Sequence, residues 1–297
     1  MDLITAIILG IVQGLTEFIP ISSSAHMVFV SRLTNMYNGD PGAITATMAV
    51  VQLGTLAAVI IYFATDIFGI AMAFIRDHLA IIGGRGGNRF SGTDGIRPMW
   101  LSEESWLGWL IIIGSIPIGV FGLVFKDAIE GSGTKNLWTI AIMLITIGVL
   151  MGVAELVSKH KKDIAHLGIS DALIVGFAQC LALMPGASRS GSTIMGGLFA
   201  GQKRETAARF SFLLSIPAIT ASGLLELKKA WSILPSDSFV PLAVATVIAG
   251  IVGYASIWFL IAFLRRNSTG IFIIYRIVLG VVLLALLWRG VMSPVLN

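Results

Sequence analysis

The stretch QGLTEFIPISSSAH, residues 13–26, lies in a part of the chain that is otherwise apolar enough to enter a membrane. It combines a glutamate, a proline, three consecutive serines and a histidine. These residue types are unfavourable in hydrocarbon, where a charged side chain costs about 2.5–3.5 kcal/mol on insertion scales. An ionisable residue at that depth indicates a functional site, and a protonated glutamate hydrogen-bonded to a neighbouring helix is the alternative.

The composition of the 297-residue chain indicates a polytopic membrane protein. Hydrophobic residues make up 56% of it and charged residues 12%, whereas soluble domains carry about 25% charged residues. The first apolar run lacks a basic flank and an A-x-A motif, so we expect it to be retained. The single cysteine, Cys180, excludes an internal disulfide and a Cys-rich metal site. The net charge of +4 lies in connecting segments, and nucleic acid is not expected as a partner.

Eight apolar stretches divide into two kinds. Six are long enough to cross a bilayer, which takes roughly 20 residues. Two others are interrupted, residues 3–37 at FIPISSSAH and residues 171–200 at LMPGASRSGST. Each predicts a re-entrant helical hairpin, and because irregular backbone at mid-membrane must be buried in protein or line a wet cavity, the two tips predict one shared site. The six predicted spans cover about residues 45–65, 107–125, 137–157, 207–225, 239–263 and 270–290.

The two interrupted stretches also resemble each other. AIILGIVQGLTEFIPISSS aligns with ALIVGFAQCLALMPGASRS after a one-residue gap, which matches Gln13 to Gln179. The sequence therefore predicts an all-α protein with an inverted-topology repeat, six transmembrane helices and two re-entrant hairpins. The repeats are residues 1–157 and 158–297, and residues 66–106 are predicted as a cytoplasmic loop of the first.

The distribution of Lys and Arg predicts the orientation of this repeat. Twelve of the 20 fall on one face and six on the other, while Arg189 and Arg276 remain within the membrane. The positive-inside rule makes the richer face cytoplasmic and places both termini and the opening of the first hairpin outside. The richer face holds the loops 66–106, 158–170, 201–209 and 264–269.

The first tip carries a carboxylate, hydroxyls and an imidazole. Gln13 and Glu17 are i and i+4 on one helical face. One serine after the proline would serve as an N-cap, but three exceed that need and, with the free N–H groups of a new helix, predict an anion site. His26 is predicted as a general acid or base, and a packed ring is the alternative. The serines are Ser22, Ser23 and Ser24.

The second tip, PGASRSGST at residues 185–193, adds a cation. Arg189 brings a forked set of N–H donors suited to phosphate, although it could instead pair with Glu17. Arg276 is a second embedded cation, with Tyr275 beside it and snorkelling as the alternative. The tip's hydroxyls are Ser188, Ser190, Ser192 and Thr193.

Together with QLGTLAAV, FSFLLSIP and YR, these two tips closely resemble the signatures of the undecaprenyl pyrophosphate phosphatase, or bacitracin-resistance, family from residue 1 to about 290. The resemblance implies an integral enzyme that removes the terminal phosphate of a polyprenyl pyrophosphate lipid and regenerates the lipid carrier for cell-wall synthesis. It also implies the same inverted-repeat fold in the bacterial cytoplasmic (inner) membrane. The substrate would reach the site from the extracytoplasmic side.

The resemblance also implies roles for single residues. Ser23 resembles the nucleophile, Glu17 the metal-linked carboxylate, His26 the proton-transfer residue and Arg189 the phosphate clamp. A divalent cation, Mg²⁺ or Ca²⁺, is the expected cofactor, with Glu17 as its ligand. Many members have glutamate in place of Gln13, which leaves one carboxylate fewer here. The predicted substrate-binding residues are Gln13, Ser22, Ser24, Ser188, Ser190, Thr193, Tyr275 and Arg276.

The main alternative is a transporter or flippase of a polyprenyl phosphate lipid, since broken helices that meet at the midplane are typical of secondary carriers. A nucleophile and a base beside the cation favour the phosphatase, because carriage of a phosphate requires neither. A structural membrane subunit would have no use for Glu17 and Arg189 at depth. The sequence leaves a homodimer open.

Overall fold

The computed structural model describes residues 1–84, 97–126 and 136–294, and this part of the chain contains α-helices and no β-strand. Six of the helices are long and apolar enough to cross a membrane, which confirms the six predicted spans. The helices are α1 (Leu3–Phe18), α2 (Ser23–Leu33), α3 (Pro41–Tyr62), α4 (Ala64–Ile82), α5 (Glu103–Val124), α6 (Leu137–Val157), α7 (Ile169–Cys180), α8 (Arg189–Phe199), α9 (Arg204–Ile233), α10 (Phe239–Leu264) and α11 (Gly270–Trp288). The six candidate spans are α3, α5, α6, α9, α10 and α11.

The two interrupted stretches form the broken helix pairs α1–α2 and α7–α8. The α1 helix ends just before Pro20. Proline has no backbone N–H to donate, so it cannot form the hydrogen bond that would continue the helix. Ser22 and Ser188 are the N-caps of α2 and α8, and both have positive φ, 78° and 68°. Only a strongly constrained turn holds a serine in that region. Both interruptions therefore lie where the sequence predicts them.

Glycines allow the helices of the broken pairs to pack tightly against the spans. A Cβ added at Gly10 would lie 2.5 Å from the carbonyl oxygen of Ala245, so α1 and α10 are in backbone contact. A Cβ at Gly176 would lie 2.4 Å from the carbonyl oxygen of Gly114, which brings α7 equally close to α5. Small residues at such interfaces are the usual basis of helix association in membranes.

Gly54→Ala is expected to be strongly destabilising, because the new Cβ would lie 1.9 Å from the carbonyl oxygen of Thr246 on α10. Overpacking typically costs about 1–3 kcal/mol, and here the obstacle is backbone. Thermal unfolding in detergent measures the effect. Gly119→Ala on α5 is the control, since no atom lies within 4 Å of its added Cβ. Equal unfolding temperatures for the two variants would contradict the packing.

An aromatic cluster fixes the end of α1. The ring of Phe18, the last residue of α1, meets that of Phe212 edge-on with centroids 5.3 Å apart. Phe63, between α3 and α4, adds a third ring 6.4 Å from Phe212. All three side chains are buried. Because Phe18 follows Glu17 in the chain, this packing also fixes the position of the glutamate.

The predicted cytoplasmic loop 66–106 is wrong in its first part, where α4 continues almost directly from α3. The charged residues of this segment lower its average hydrophobicity, which concealed a helix with its large apolar side chains on one face. The helix packs on the start of α5, and buried Asp77 accepts hydrogen bonds from the N–H and hydroxyl of Ser102. Residues 85–96 of the predicted loop lie outside the described residues. The exposed large apolar side chains of α4 are Phe68, Met72, Ile75, Leu79, Ile81 and Ile82.

Candidate functional site

The two tips lie side by side, as the sequence predicts. The hydroxyl of Ser24 accepts a hydrogen bond of 3.1 Å from the N–H of Gly186. In return, the hydroxyl of Ser190 donates to the carbonyl oxygen of Ile19 over 3.4 Å. Each tip therefore supplies a serine that binds the backbone of the other.

In each broken pair, the second helix begins at a pair of serines. Ser22 caps α2 by accepting from the N–H of Ala25, and Ser188 caps α8 by accepting from the N–H of Gly191 at 3.1 Å. The hydroxyls of Ser22 and Ser24 are 3.1 Å apart, and those of Ser188 and Ser190 are 3.2 Å apart. The N-termini of α2 and α8 thus meet, and the positive ends of both helix dipoles favour an anion there.

Glu17 is the centre of the hydrogen-bond network at the tips. Its Oε2 accepts from the amide of Gln13 at 2.9 Å and from the hydroxyl of Ser23 at 2.8 Å. Its Oε1 accepts from the amide of Gln52 at 2.9 Å and from the guanidinium of Arg189 at 2.5 Å. The residue is only 5% exposed. Four donors therefore converge on this buried carboxylate, and one of them, Arg189, carries a positive charge.

Gln52 is the member of this network that sequence reasoning missed. It lies on α3, in VVQLGTLAAVI, and it connects that span to the first tip through Glu17. The signal was present, because a glutamine in the middle of an apolar span is costly unless its amide is hydrogen-bonded.

Arg189 lies between the carboxylate and the serines. Its Nη2 forms the ion pair with Glu17, so the contact that the sequence analysis left as an alternative is present. Its Nη1 is buried and has no hydrogen-bond partner within the described residues. A buried guanidinium donor of this kind needs an acceptor, and a phosphate oxygen has the matching charge and geometry. The ion pair with Glu17 and a phosphate contact are therefore compatible.

His26 is not hydrogen-bonded to Ser23. One ring nitrogen, Nδ1, lies 2.7 Å from the carbonyl oxygen of Ser22, and the other, Nε2, lies 2.7 Å from the phenolic oxygen of Tyr275. The Ser23 hydroxyl donates to Glu17 instead. In this geometry the group that accepts from Ser23 is the carboxylate and not the imidazole.

Arg276 is fully buried, with 0% exposure, and its donors are directed at backbone carbonyl oxygens. One of these belongs to Pro20 in the first tip, and two belong to Gly186 and Ala187 in the second. The guanidinium therefore connects the two tips through hydrogen bonds to the backbone of both. Its predicted contact with substrate stays a prediction. The acceptors of Arg276 are the carbonyl oxygens of Pro20, Met143, Leu144, Gly186 and Ala187.

Thr193 is also buried, and its hydroxyl donates to the carbonyl oxygen of Arg189 at 2.7 Å. A second hydrogen bond joins this hydroxyl to that of Ser211 on α9. These contacts hold the first turn of α8, and with it the backbone of Arg189. The predicted contact of Thr193 with substrate stays a prediction.

A divalent cation at the tips would require oxygen ligands from the protein or the substrate. Among the described residues, no group of three or more His, Cys, Asp and Glu side chains is placed to hold a metal ion. Glu17 is the one carboxylate at the tips for which a ligand role is predicted, and the side-chain amides of Gln13 and Gln52 donate hydrogen bonds to it. This set fits a cation shared with phosphate oxygens, as is common for Mg²⁺.

An α-helical chain with six apolar spans and a buried charged site between two broken helices defines a polytopic membrane protein. The family model described as bacitracin resistance protein BacA matches residues 6–282, and the chain belongs to that family. This confirms the family indicated by the two tip signatures.

Several curated relatives share nearly their whole length with this chain. A protein of Syntrophobacter fumaroxidans is 48% identical over 290 residues, which are 97% of this chain and 99% of the relative. One from Chlorobaculum parvum is 46% identical over 303 residues, 99% of this chain and 100% of the relative. One from Prosthecochloris aestuarii is 48% identical over 299 residues, 98% of this chain and 99% of the relative. Each of the three is named undecaprenyl-diphosphatase.

Proposed function

We propose that the protein is an undecaprenyl-diphosphatase, which hydrolyses undecaprenyl diphosphate to undecaprenyl phosphate and inorganic phosphate. The observation that carries this proposal is the Ser23 hydroxyl, which donates to the Glu17 carboxylate over 2.8 Å beside the unsatisfied Nη1 of Arg189. A nucleophile, its base and a phosphate-binding cation are thus in one place. The names of the relatives support this substrate, and the rival prediction of a lipid carrier or flippase gains no support from them.

The geometry supports a phosphoryl transfer to Ser23. Glu17 takes the hydroxyl proton as the serine oxygen bonds to the terminal phosphorus, and the anhydride bond to the lipid phosphate breaks. Arg189 and the N-termini of α2 and α8 stabilise the negative charge on the transferring group. Water then hydrolyses the phosphoserine and releases inorganic phosphate. Recycled undecaprenyl phosphate would serve cell-wall synthesis and bacitracin resistance.

A divalent cation, Mg²⁺ or Ca²⁺, is part of the proposal. When bound, it would neutralise charge on the diphosphate and polarise its oxygens. Glu17 would hold it together with substrate oxygens, and the amide oxygens of Gln13 and Gln52 are suitable further ligands.

Ser23→Ala is expected to lower phosphate release at least about 10³-fold, because it removes the nucleophile. The assay measures inorganic phosphate released from farnesyl diphosphate by the purified protein in detergent. Ser31→Ala is the matched control, since Ser31 lies on the same helix and donates to the carbonyl oxygen of Val28. Equal rates for the two variants would contradict the role of Ser23.

The proposed fold is the inverted repeat of residues 1–157 and 158–297. Contacts that correspond between the two halves support it. The packing of α1 on α10 corresponds to that of α7 on α5, and the packing of α3 on α10 corresponds to that of α9 on α5. The pairs α3–α9 and α6–α11 join equivalent helices of the two halves. In the proposed orientation the protein lies in the bacterial inner membrane and the site opens to the outside. Assembly as a homodimer stays a prediction.

This orientation predicts which residues are reached from outside the cell. In a Cys180→Ser background, Ser293→Cys should react with a membrane-impermeant maleimide in intact cells, whereas Asn267→Cys should react only after permeabilisation. Both positions are exposed, Ser293 near the carboxyl end and Asn267 between α10 and α11. Labelling in the opposite order would reverse the orientation.

A further inference from the structure

His26 and Tyr275 come together from distant parts of the chain. The Nε2 atom of His26 on α2 lies 2.7 Å from the phenolic oxygen of Tyr275 on α11. The two rings are nearly parallel, with an angle of 12° and centroids 5.8 Å apart. Since Nδ1 also binds the carbonyl oxygen of Ser22, the imidazole is held at both nitrogens.

These two contacts determine where the imidazole carries its proton. A carbonyl oxygen only accepts hydrogen bonds, so Nδ1 of His26 is the protonated nitrogen in its contact with Ser22. In the neutral ring Nε2 is then an acceptor, and the phenol of Tyr275 donates to it. Removing the phenolic hydroxyl would leave Nε2 without a donor and the ring attached on one side only, while the Ser22 carbonyl would keep the proton on Nδ1.

Tyr275 is also less enclosed by the protein than His26. Its side chain is 43% exposed, whereas His26 is half-buried. The neighbouring cation, Arg276, is directed away from the phenol toward backbone carbonyl oxygens. Because the Ser23 hydroxyl is bonded to Glu17, His26 is free for the other proton transfer that hydrolysis requires.

We propose that Tyr275 is the positioning residue of His26: its phenol fixes the orientation of the imidazole and donates a hydrogen bond to Nε2. This rests on the proposed phosphatase function and assigns Tyr275 a role other than its predicted contact with substrate. A proton bound for His26 passes through the phenol. The phenolic oxygen accepts a proton from the water that hydrolyses the phosphoserine and gives its own proton to Nε2. The phenol is then unchanged, and the imidazole has become an imidazolium.

A double-mutant cycle tests this role through turnover. Tyr275→Phe retains the ring and is expected to lower kcat about tenfold or more with KM changed less than about twofold. In a His26→Ala background the same substitution should cause no further loss, because the two residues act as one unit. Tyr254→Phe, at a tyrosine that is 45% exposed and packs on Tyr62, should have no effect in either background. An equal loss from Tyr275→Phe in both backgrounds would overturn the proposal.

The tautomer itself can be measured without turnover. In protein labelled with ¹⁵N-histidine, ring nitrogen shifts distinguish the two tautomers, and His26→Ala assigns the signal among the four histidines. Wild type should show the Nδ1–H form at His26, and Tyr275→Phe should keep this form but shift the Nε2 signal, because that nitrogen loses its hydrogen bond. Unchanged shifts in Tyr275→Phe would overturn the proposal. A protein that released no phosphate but showed the shift would refute the phosphatase function and leave the pairing of Tyr275 with His26 intact.

Discussion

Glu17→Gln is expected to lower phosphate release about 10²–10⁴-fold, because an amide cannot take the proton of the Ser23 hydroxyl as the carboxylate does. It should also destabilise the tips, since Arg189 would lose the one carboxylate to which it is bonded. Initial rates of phosphate release measure the first effect and thermal unfolding in detergent measures the second. A variant that kept near-native rates would show that Glu17 is not the base.

The matched control for Glu17→Gln is Gln13→Glu. Gln13 is one helical turn away and donates to the same carboxylate. We expect Gln13→Glu to retain activity and to bind a divalent cation more tightly, because it adds a carboxylate. A Mg²⁺ or Ca²⁺ titration of both variants tests the ligand assignment. Equal metal dependence in wild type and Glu17→Gln would contradict it.

Arg189→Lys is expected to lower kcat/KM about 10²–10³-fold, although it keeps the positive charge. One nitrogen of the guanidinium pairs with Glu17 while the other, Nη1, is unsatisfied. An ammonium group is a single point charge and cannot serve the carboxylate and a phosphate with the same fork.

The control for this prediction is Arg209→Lys. Arg209 on α9 forms an ion pair of 3.2 Å with Asp66, outside the two tips. The lysine variant there should keep nearly wild-type rates, because that pair is partly exposed and touches neither serine cluster. If Arg189→Lys were as active as Arg209→Lys, the phosphate-clamp role of Arg189 would be wrong.

The tips could be predicted from sequence because their signals are local. Proline, serine clusters and charges interrupt apolar runs at the places where the helices break, and span length follows directly from the bilayer thickness. Glu17 and Gln13 share a face because of the helical period, and their hydrogen bond confirms it.

The rest depends on packing between distant parts of the chain. The ion pair of Arg189 with Glu17 and the carbonyl ligands of Arg276 join segments that no local pattern relates. Gln52 belongs to the site only because α3 packs beside α1. The α4 helix was missed because its charged residues conceal an apolar face from an average over the segment.

The most direct test of the central claim is ³¹P NMR of undecaprenyl diphosphate mixed with the purified wild-type protein and a divalent cation in detergent. The diphosphate signals should be replaced by equal amounts of a phosphate monoester and inorganic phosphate, and Ser23→Ala should leave them unchanged. Diphosphate signals that persist with the folded wild-type protein would contradict the account. The buried serines, glutamate and arginine would then bind the lipid without cleaving it.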